Sequence, residues 1–193
     1  MPELTYPIET ERLFLRPIEL ADASPIHAYH SLEAVAKYQF WDPRTLDDVM
    51  VEVQKWVASK QIDGEGELAL AVALKTSGEL IGDLFFKITD AAARQGTIGF
   101  SFNPMVQGQG YATEAAHALL ELGFDTFGLH RVFARCDARN TASWRVMERL
   151  GMRREAHFRE HAVFKGGWDE EFYYAVLERE WRRQGGRKIG RKA

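Results

Sequence analysis

The sequence predicts a mixed α/β fold in which about seven strands form one sheet and four helices cover it. Apolar residues recur at the helical period in some segments and alternate with polar residues in others. These segments follow the order strand, two helices, three strands, helix, strand, helix, two strands, which predicts a single mixed sheet. A chain of 193 residues with 46% hydrophobic composition is ordinary for one domain with its own core.

The N-terminal half begins with an alternating segment over 11–18, "ERLFLRPI", which predicts a strand. A helical pattern follows over 22–37, opened by Asp22 and Pro25, and a second helical pattern runs over 46–60. The apolar residues then stop recurring at the helical period and recur at every second position. This change predicts three consecutive strands, over 67–75, 79–89 and 96–103.

The C-terminal half mixes helices and strands. A helix is predicted over 112–127 because its apolar residues fall on one face, and Gly128 ends it. The remaining elements are a strand over 131–138, a short helix over 141–150, and two long strands over 152–165 and 170–181. The sequence therefore predicts one domain over 1–184, followed by a basic tail over 185–193 that we expect to be disordered.

Composition and charge argue against several classes of function. The longest apolar run, "LALAVAL" over 68–74, is too short to cross a bilayer, and the acidic N-terminus differs from a signal peptide. These features predict a cytoplasmic protein with no membrane partner. The net charge of −3 argues against nucleic-acid binding. Seven arginines against two acidic residues between Arg131 and Arg154 nevertheless predict a local field that favours an anionic ligand.

Cysteine and histidine give no sign of a metal centre or a thiol nucleophile. The single cysteine, Cys136, lies in a predicted strand, where a buried structural thiol is the usual role. His157 and His161 are four residues apart in a predicted strand, whereas zinc motifs place such pairs on helices or loops. We therefore expect no metal site.

The stretch over 106–115, "VQGQGYATEA", places Gly108 and Gly110 just before a predicted helix. A P-loop would need a lysine after the second glycine, and a dinucleotide fingerprint would need glycine where Thr113 stands. A third possibility is a loop whose backbone N–H groups grip a pyrophosphate at the helix N-terminus. A plain turn before a helix is the alternative that the glycine pair alone leaves open.

Three motifs, in order, give this stretch its context. They are "TERLFLRP" over 10–17, "QGQGYA" over 107–112, which matches the acyl-CoA signature [RQ]xxGx[GA], and "NTASWRVMERLG" over 140–151. Together they make the chain resemble the GNAT acyltransferase superfamily, and most closely its RimJ/RimL-type branch. The resemblance extends from about residue 10 to residue 181 and implies the GNAT fold.

The resemblance implies acetyl-CoA as the co-substrate. Its pyrophosphate would be held by the loop and helix start, through Gln107, Gly108, Gln109, Gly110, Tyr111 and Ala112. The strand that contains Phe100 and Phe102 would pair with the pantetheine arm through free backbone groups. Asn140 and Ser143 would face the pantetheine, and the Ser143 hydroxyl would donate to the leaving thiolate. Asn140 could equally cap the short helix.

The implied reaction is direct attack of a primary amine on the thioester, and a catalytic base is not evident. Thr97 occupies a strand position that relatives often fill with an acid, and Ala162 a position that some relatives fill with one. Glu160 is the candidate base, with His161 beside it, although a charged strand usually exposes such side chains to solvent. Neutralising an amine at pH 7 costs about 1.2 kcal/mol for an α-amine and about 4.6 kcal/mol for lysine. A site poor in bases therefore suits an α-amine.

The acceptor would enter beside the segment "KYQFWDP" over 37–43, where Tyr38 and Trp41 are the candidate substrate contacts. Core packing is the other role open to these aromatic residues. A protein N-terminal α-amine and a small-molecule amine both remain open as acceptors, as do a homodimer and acyl groups other than acetyl. The alternative function is an acyl-CoA-binding sensor without robust catalysis, since acid–base residues normally mark a catalytic site.

Overall fold

The computed structural model describes residues 3–59, 61–62 and 64–185. Its strands are β1 (Ile8–Glu9), β2 (Leu13–Pro17), β3 (Glu67–Leu74), β4 (Leu80–Asp90), β5 (Gln95–Phe102), β6 (Arg131–Asp137), β7 (Arg153–Phe164) and β8 (Gly167–Leu177). Its helices are α1 (Ala23–His30), α2 (Glu33–Ala36), α3 (Leu46–Ala58), α4 (Tyr111–Glu121), α5 (Thr141–Arg149) and α6 (Glu178–Arg183). Short 3₁₀ turns cover Leu20–Asp22 and Pro104–Val106, and a π-helical turn covers Leu122–Thr126.

The strands form one mixed sheet in the order β1-β2-β3-β4-β5-β6-β8-β7. Every neighbouring pair is antiparallel except β5 and β6, which are parallel. The mixed α/β fold predicted from the sequence is therefore confirmed. The strand count of seven was one too low, because β1 has only two residues and such a segment shows no alternation.

Several predicted boundaries were wrong for local reasons. The helix predicted over 22–37 is two helices, since Ser31 ends α1 and α2 starts again from Leu32. The strand predicted over 170–181 ends at Leu177, where the Glu180 carboxylate accepts a hydrogen bond from the Leu177 amide at 3.0 Å and opens α6. The tail predicted over 185–193 lies outside the described residues except for Gly185.

The two faces of the sheet carry two hydrophobic cores. The larger core packs α4 and α5 against the sheet, with Leu119, Met147 and Tyr174 among its buried side chains. The smaller core packs α1 and α3 on the opposite face around Ile26 and Val53. No helix in the described part of the chain is both long enough and apolar enough to cross a membrane.

The parallel pair β5 and β6 separates partway along its length. Its paired residues are Gln95 with Arg131, Gly96 with Val132, and Thr97 with Phe133. Both strands continue beyond this point, to Phe102 and to Asp137, while β5 stays paired with β4 on its other side. The sheet is thus split between 98–102 and 134–137, and the backbone of β5 faces the opening.

Candidate active site

A cleft of about 1210 Å³ fills the split between β5 and β6. The two separated strands form its walls, and the loop before α4 and the start of α5 close its sides. All of the predicted cofactor-binding residues line it, namely Phe100, Phe102, Gln107, Gly108, Gln109, Gly110, Tyr111, Ala112, Asn140 and Ser143. Residues from three separate segments of the sequence therefore meet at one site.

The loop before α4 is built around two glycines in left-handed conformation. Gly108 has φ +78° and Gly110 has φ +83°, values that residues with a Cβ adopt only at a cost. Gly110 is the N-cap of α4 and has no side chain to accept from the first-turn amides. Those amides and the helix dipole are therefore available to an anionic group in the cleft.

Glu114 in the first turn of α4 joins this loop to the segment before β2. Its carboxylate accepts hydrogen bonds from the Thr10 hydroxyl at 2.6 Å, the Arg12 amide at 2.7 Å and Arg12 Nε at 2.7 Å. Burial alone would raise the pKa of Glu114, but the hydrogen bonds from Thr10 and Arg12 lower it below its usual range. Arg12 Nη1 also donates to the Gln109 carbonyl at 2.9 Å. Two of the three sequence motifs are therefore physically linked.

The start of α5 presents Ser143 to the cleft beside the end of β6. Asn140 is the N-cap of α5, and its side-chain oxygen accepts from the Ser143 amide at 3.2 Å. The Ser143 hydroxyl lies next to the Cys136 thiol and acts to lower its pKa. Burial raises the pKa of the Cys136 thiol to about 12, so this thiol stays protonated at neutral pH and is a poor nucleophile.

The arginines between β6 and β7 have different surroundings. Arg131, Arg139 and Arg153 are held in ion pairs with acidic side chains. Arg145 and Arg149 instead lie exposed on α5, where they line the cleft. These two side chains are the members of the arginine-rich segment best placed to meet an anionic ligand.

One end of the cleft lies at the turn between β7 and β8, where Phe164 and Asp169 line it. Lys165 in this turn donates to the Ala36 carbonyl at 2.9 Å and to the Trp41 carbonyl at 2.8 Å. The rings of Phe40 and Phe164 meet edge to face with centroids 5.7 Å apart. Tyr38 lines the cleft beside them. The β7–β8 turn and the segment after α2 together enclose this end, which we call the acceptor end.

Two predicted site residues lie elsewhere. Trp41 is absent from the described cleft lining, and its ring stacks on buried His30 with centroids 4.5 Å apart. Glu160 is exposed on β7 with φ +52°, in a stretch where the β7–β8 register shifts, and it also lies outside the described lining. The bulge in β7 therefore does not bring the Glu160 carboxylate into the cleft.

The structure instead brings Glu171 into the cleft, a residue that the sequence did not single out. Glu171 is 6% exposed and lies on β8 directly opposite Asp137 of β6. Burial raises the pKa of Glu171, with the nearby Arg135 acting in the opposite direction. Its one signal in the sequence is an acidic residue near the start of a predicted strand, a residue type that is ordinarily solvent-exposed.

His161, Asp169 and Glu171 form a cluster whose ligand atoms all lie within 4.8 Å of one another. His161 Nδ1 lies 3.1 Å from an Asp169 oxygen, and Nε2 lies 3.6 Å from a Glu171 oxygen. Because both ring nitrogens face carboxylates, the histidine is oriented as a bridge between two acids. A metal ion would have to displace one of these contacts to gain a ligand.

Comparison with known proteins adds a family context. A family model described as an acetyltransferase (GNAT) domain matches residues 12–153. The Bacillus subtilis protein called uncharacterized N-acetyltransferase YnaD is 38% identical over 175 residues, which is 90% of this chain and 98% of that protein. The crystal structure of a GNAT-family acetyltransferase from Bacillus anthracis has a TM-score of 0.81 at 37% identity, covering 89% of this chain and 98% of that one.

A more distant structure shares the fold alone. The spermidine N-acetyltransferase of Vibrio cholerae, solved in complex with CoA and spermine, has a TM-score of 0.75 at 20% identity. The likeness covers 88% of this chain and 98% of that chain.

Proposed function

The chain belongs to the GNAT acetyltransferase family and is an acetyl-CoA-dependent N-acetyltransferase, and on this premise we propose that it acetylates a primary amine by direct attack on the thioester. The split between β5 and β6, with the glycine loop beside it, is the observation that carries the proposal. The three sequence motifs of the chain favour the RimJ/RimL-type branch of the family. Cys136 supports direct attack, since a thiol with a pKa of about 12 is poorly suited to carry the acetyl group.

The residues present fit acetyl-CoA. The amides of residues 108–112 would hold the pyrophosphate, because Gly108 and Gly110 let a ligand approach the backbone and α4 starts directly behind them. The backbone of residues 100–102 would pair with the amide groups of the pantetheine arm, as one strand pairs with another. An N–H of the same strand would stabilise the oxyanion that forms on the thioester carbonyl.

Ser143 would protonate the CoA thiolate as the carbon–sulfur bond breaks. Its position is set by α5, where Asn140 accepts from the Ser143 amide, and the hydroxyl lies next to the buried Cys136 thiol. A hydroxyl held in this way needs little reorganisation when negative charge develops on sulfur.

The acceptor would enter at the acceptor end of the cleft, where Tyr38 and Phe40 are the aromatic contacts that we propose for it. Trp41 would act indirectly, since its carbonyl holds Lys165 of the enclosing turn. A protein N-terminal α-amine and a small-molecule amine are both compatible with this end. The spermidine acetyltransferase with the same fold is one reason to include polyamines among the amines tested.

A thiol-release assay tests the proposed function. Purified protein with acetyl-CoA should release free CoA faster when a suitable primary amine is added, and mass spectrometry should find that amine heavier by one acetyl group. The panel should contain peptides with free N-termini, amino acids, polyamines and aminoglycosides. Release that no amine increases, despite intact acetyl-CoA binding, would contradict catalysis and fit a protein that only binds acyl-CoA.

The exposed arginines predict salt-dependent binding of CoA. We expect CoA affinity to fall as salt concentration rises, and to fall more steeply than that of dephospho-CoA. The reason is that the extra 3′-phosphate would lie outside the loop, within the field of Arg145 and Arg149. Calorimetric titrations at several salt concentrations give, for each ligand, the slope of log Kd against log salt concentration.

Variants locate the charges responsible for this difference. The double variant R145A/R149A should bring the slope for CoA down to that for dephospho-CoA. R159A is the matched control, because Arg159 lies on β7 outside the described cleft lining and its removal should leave the difference intact. Equal slopes for the two ligands in the wild-type protein would contradict this placement of the 3′-phosphate.

A further inference from the structure

Four carboxylates line the acceptor end of the cleft, and three of them already have close partners. Asp137 accepts three hydrogen bonds from Arg139, of which the backbone amide gives one at 2.8 Å. Asp169 accepts from the Ala162 amide at 3.0 Å, and Glu170 lies 3.0 Å from His157 Nε2. A carboxylate whose lone pairs are occupied in this way is a weak proton acceptor.

The fourth carboxylate, that of Glu171, is different. Arg135 Nε and His161 Nε2 each lie 3.6 Å from it, which is beyond hydrogen-bonding distance. Within the described part of the chain no hydrogen bond reaches this carboxylate, although the residue is only 6% exposed. Its oxygens therefore remain available to a donor that enters the cleft.

Glu171 also lies on the correct side of the reaction centre. Cys136 touches Ser143 on the α5 face of the sheet, and its neighbour Asp137 points to the opposite face, where Glu171 stands across from it on β8. The negative charge of Glu171 is close enough to raise the pKa of the Cys136 thiol. A thioester beside Ser143 would thus have Glu171 on the side from which an amine arrives.

We propose that Glu171 is the general base that takes a proton from the acceptor ammonium, an inference that rests on the proposed function and deepens it. The ammonium gives one proton to the Glu171 carboxylate, and the freed lone pair attacks the thioester carbonyl carbon. As the C–N bond forms and the C–S bond breaks, the thiolate takes the Ser143 hydroxyl proton. The proton that the new amide nitrogen loses restores the hydroxyl, and Glu171 returns its own proton to solvent.

The raised pKa of Glu171 supports this role, because a base works best when its pKa approaches the operating pH. Arg135 from β6 and His161 from β7 lower the pKa of this carboxylate, while Asp137 and Asp169 raise it. The rate should therefore rise with pH as Glu171 loses its proton. This ascending limb of the pH–rate profile should lie above the pH range in which ordinary carboxyl groups titrate. That limb belongs to the enzyme and should not move when the amine is changed.

The test compares E171Q with wild type, using the fastest amine of the thiol-release panel and a second amine of different pKa. E171Q should lower kcat by about a hundredfold at neutral pH, as expected for loss of a general base, with acetyl-CoA affinity unchanged. The ascending limb that belongs to the enzyme should disappear, leaving a limb whose midpoint follows the pKa of each amine. H161Q should shift the enzyme-borne limb upward and keep it. E155Q is the matched control, because Glu155 is on β7, paired with Arg131, and should behave as wild type.

The outcomes separate this inference from the proposed function. A wild-type protein that acetylates no amine would overturn both. Turnover in the wild type with E171Q within threefold of it, or with a limb that shifts with the pKa of each amine, would overturn the role of Glu171 alone. Loss of acetyl-CoA binding in E171Q would show a structural role instead. The wild-type pH profile with two amines decides the question even if E171Q does not fold.

Discussion

Replacing Gly110 by valine is expected to weaken acetyl-CoA binding by about a hundredfold or more while the protein still folds. A residue with a Cβ in left-handed conformation costs about 1–2 kcal/mol, and a shifted loop loses charge-assisted hydrogen bonds of about 1.5–3 kcal/mol each. At about 1.4 kcal/mol for each tenfold in affinity, these effects together reach that range. The fold should survive, because a Cβ at Gly110 meets only the Arg12 guanidinium, at 3.5 Å.

A second glycine provides the control for Gly110→Val. Gly78 has φ +73° in the turn between β3 and β4, a Cβ there would meet nothing within 4 Å, and it lies outside the described cleft lining. Gly78→Val therefore introduces comparable backbone strain away from the ligand. It should lower the melting temperature as Gly110→Val does and leave the calorimetric Kd for acetyl-CoA unchanged. Wild-type affinity for acetyl-CoA in a folded Gly110→Val protein would refute the pyrophosphate assignment.

Replacing Ser143 by alanine is expected to lower kcat by roughly tenfold to a thousandfold, the range of general-acid and hydrogen-bond contributions. Acetyl-CoA affinity should change little, because the hydroxyl would act on the thiolate that appears only as the C–S bond breaks. Steady-state rates and calorimetric titration separate the two quantities.

Thr141 is the matched control for Ser143, since it is exposed on the same helix one residue after the cap. T141A should keep wild-type kcat and acetyl-CoA affinity. A kcat for S143A within twofold of wild type would remove Ser143 from the chemical step. A fall in acetyl-CoA affinity as large as the fall in kcat would assign it to binding alone.

Much of the cleft around the loop before α4 and the start of α5 could be predicted from the sequence. The glycine positions, the start of α4 and the Asn140 cap depend on residues within a few positions of one another. Backbone conformation at a helix start is decided by such local interactions, so a short motif is sufficient to predict it. The predicted loop residues accordingly all lie along the cleft.

The acceptor end could not be predicted in the same way. Glu160 and Glu171 are both acidic residues in long strand patterns, and their sequence surroundings do not distinguish a buried carboxylate from an exposed one. The pairing of β8 with β6 places Glu171 beside Asp137, and the bulge in β7 leaves Glu160 in solvent. Trp41 likewise stacks on buried His30 of α1 and does not line the cleft.

The sequence by itself determined the periods of the strands and helices, the glycine loop and the caps, because these depend on neighbours along the chain. Tertiary structure alone decided where the sheet splits, that Glu114 ties Thr10 and Arg12 to the loop, and that Lys165 reaches the carbonyls of Ala36 and Trp41. The hydrogen bonds join residues more than a hundred positions apart, and the split depends on where β5 and β6 stop pairing. Such features form only when the helices and strands pack together, because the interactions within one segment do not determine how distant segments meet.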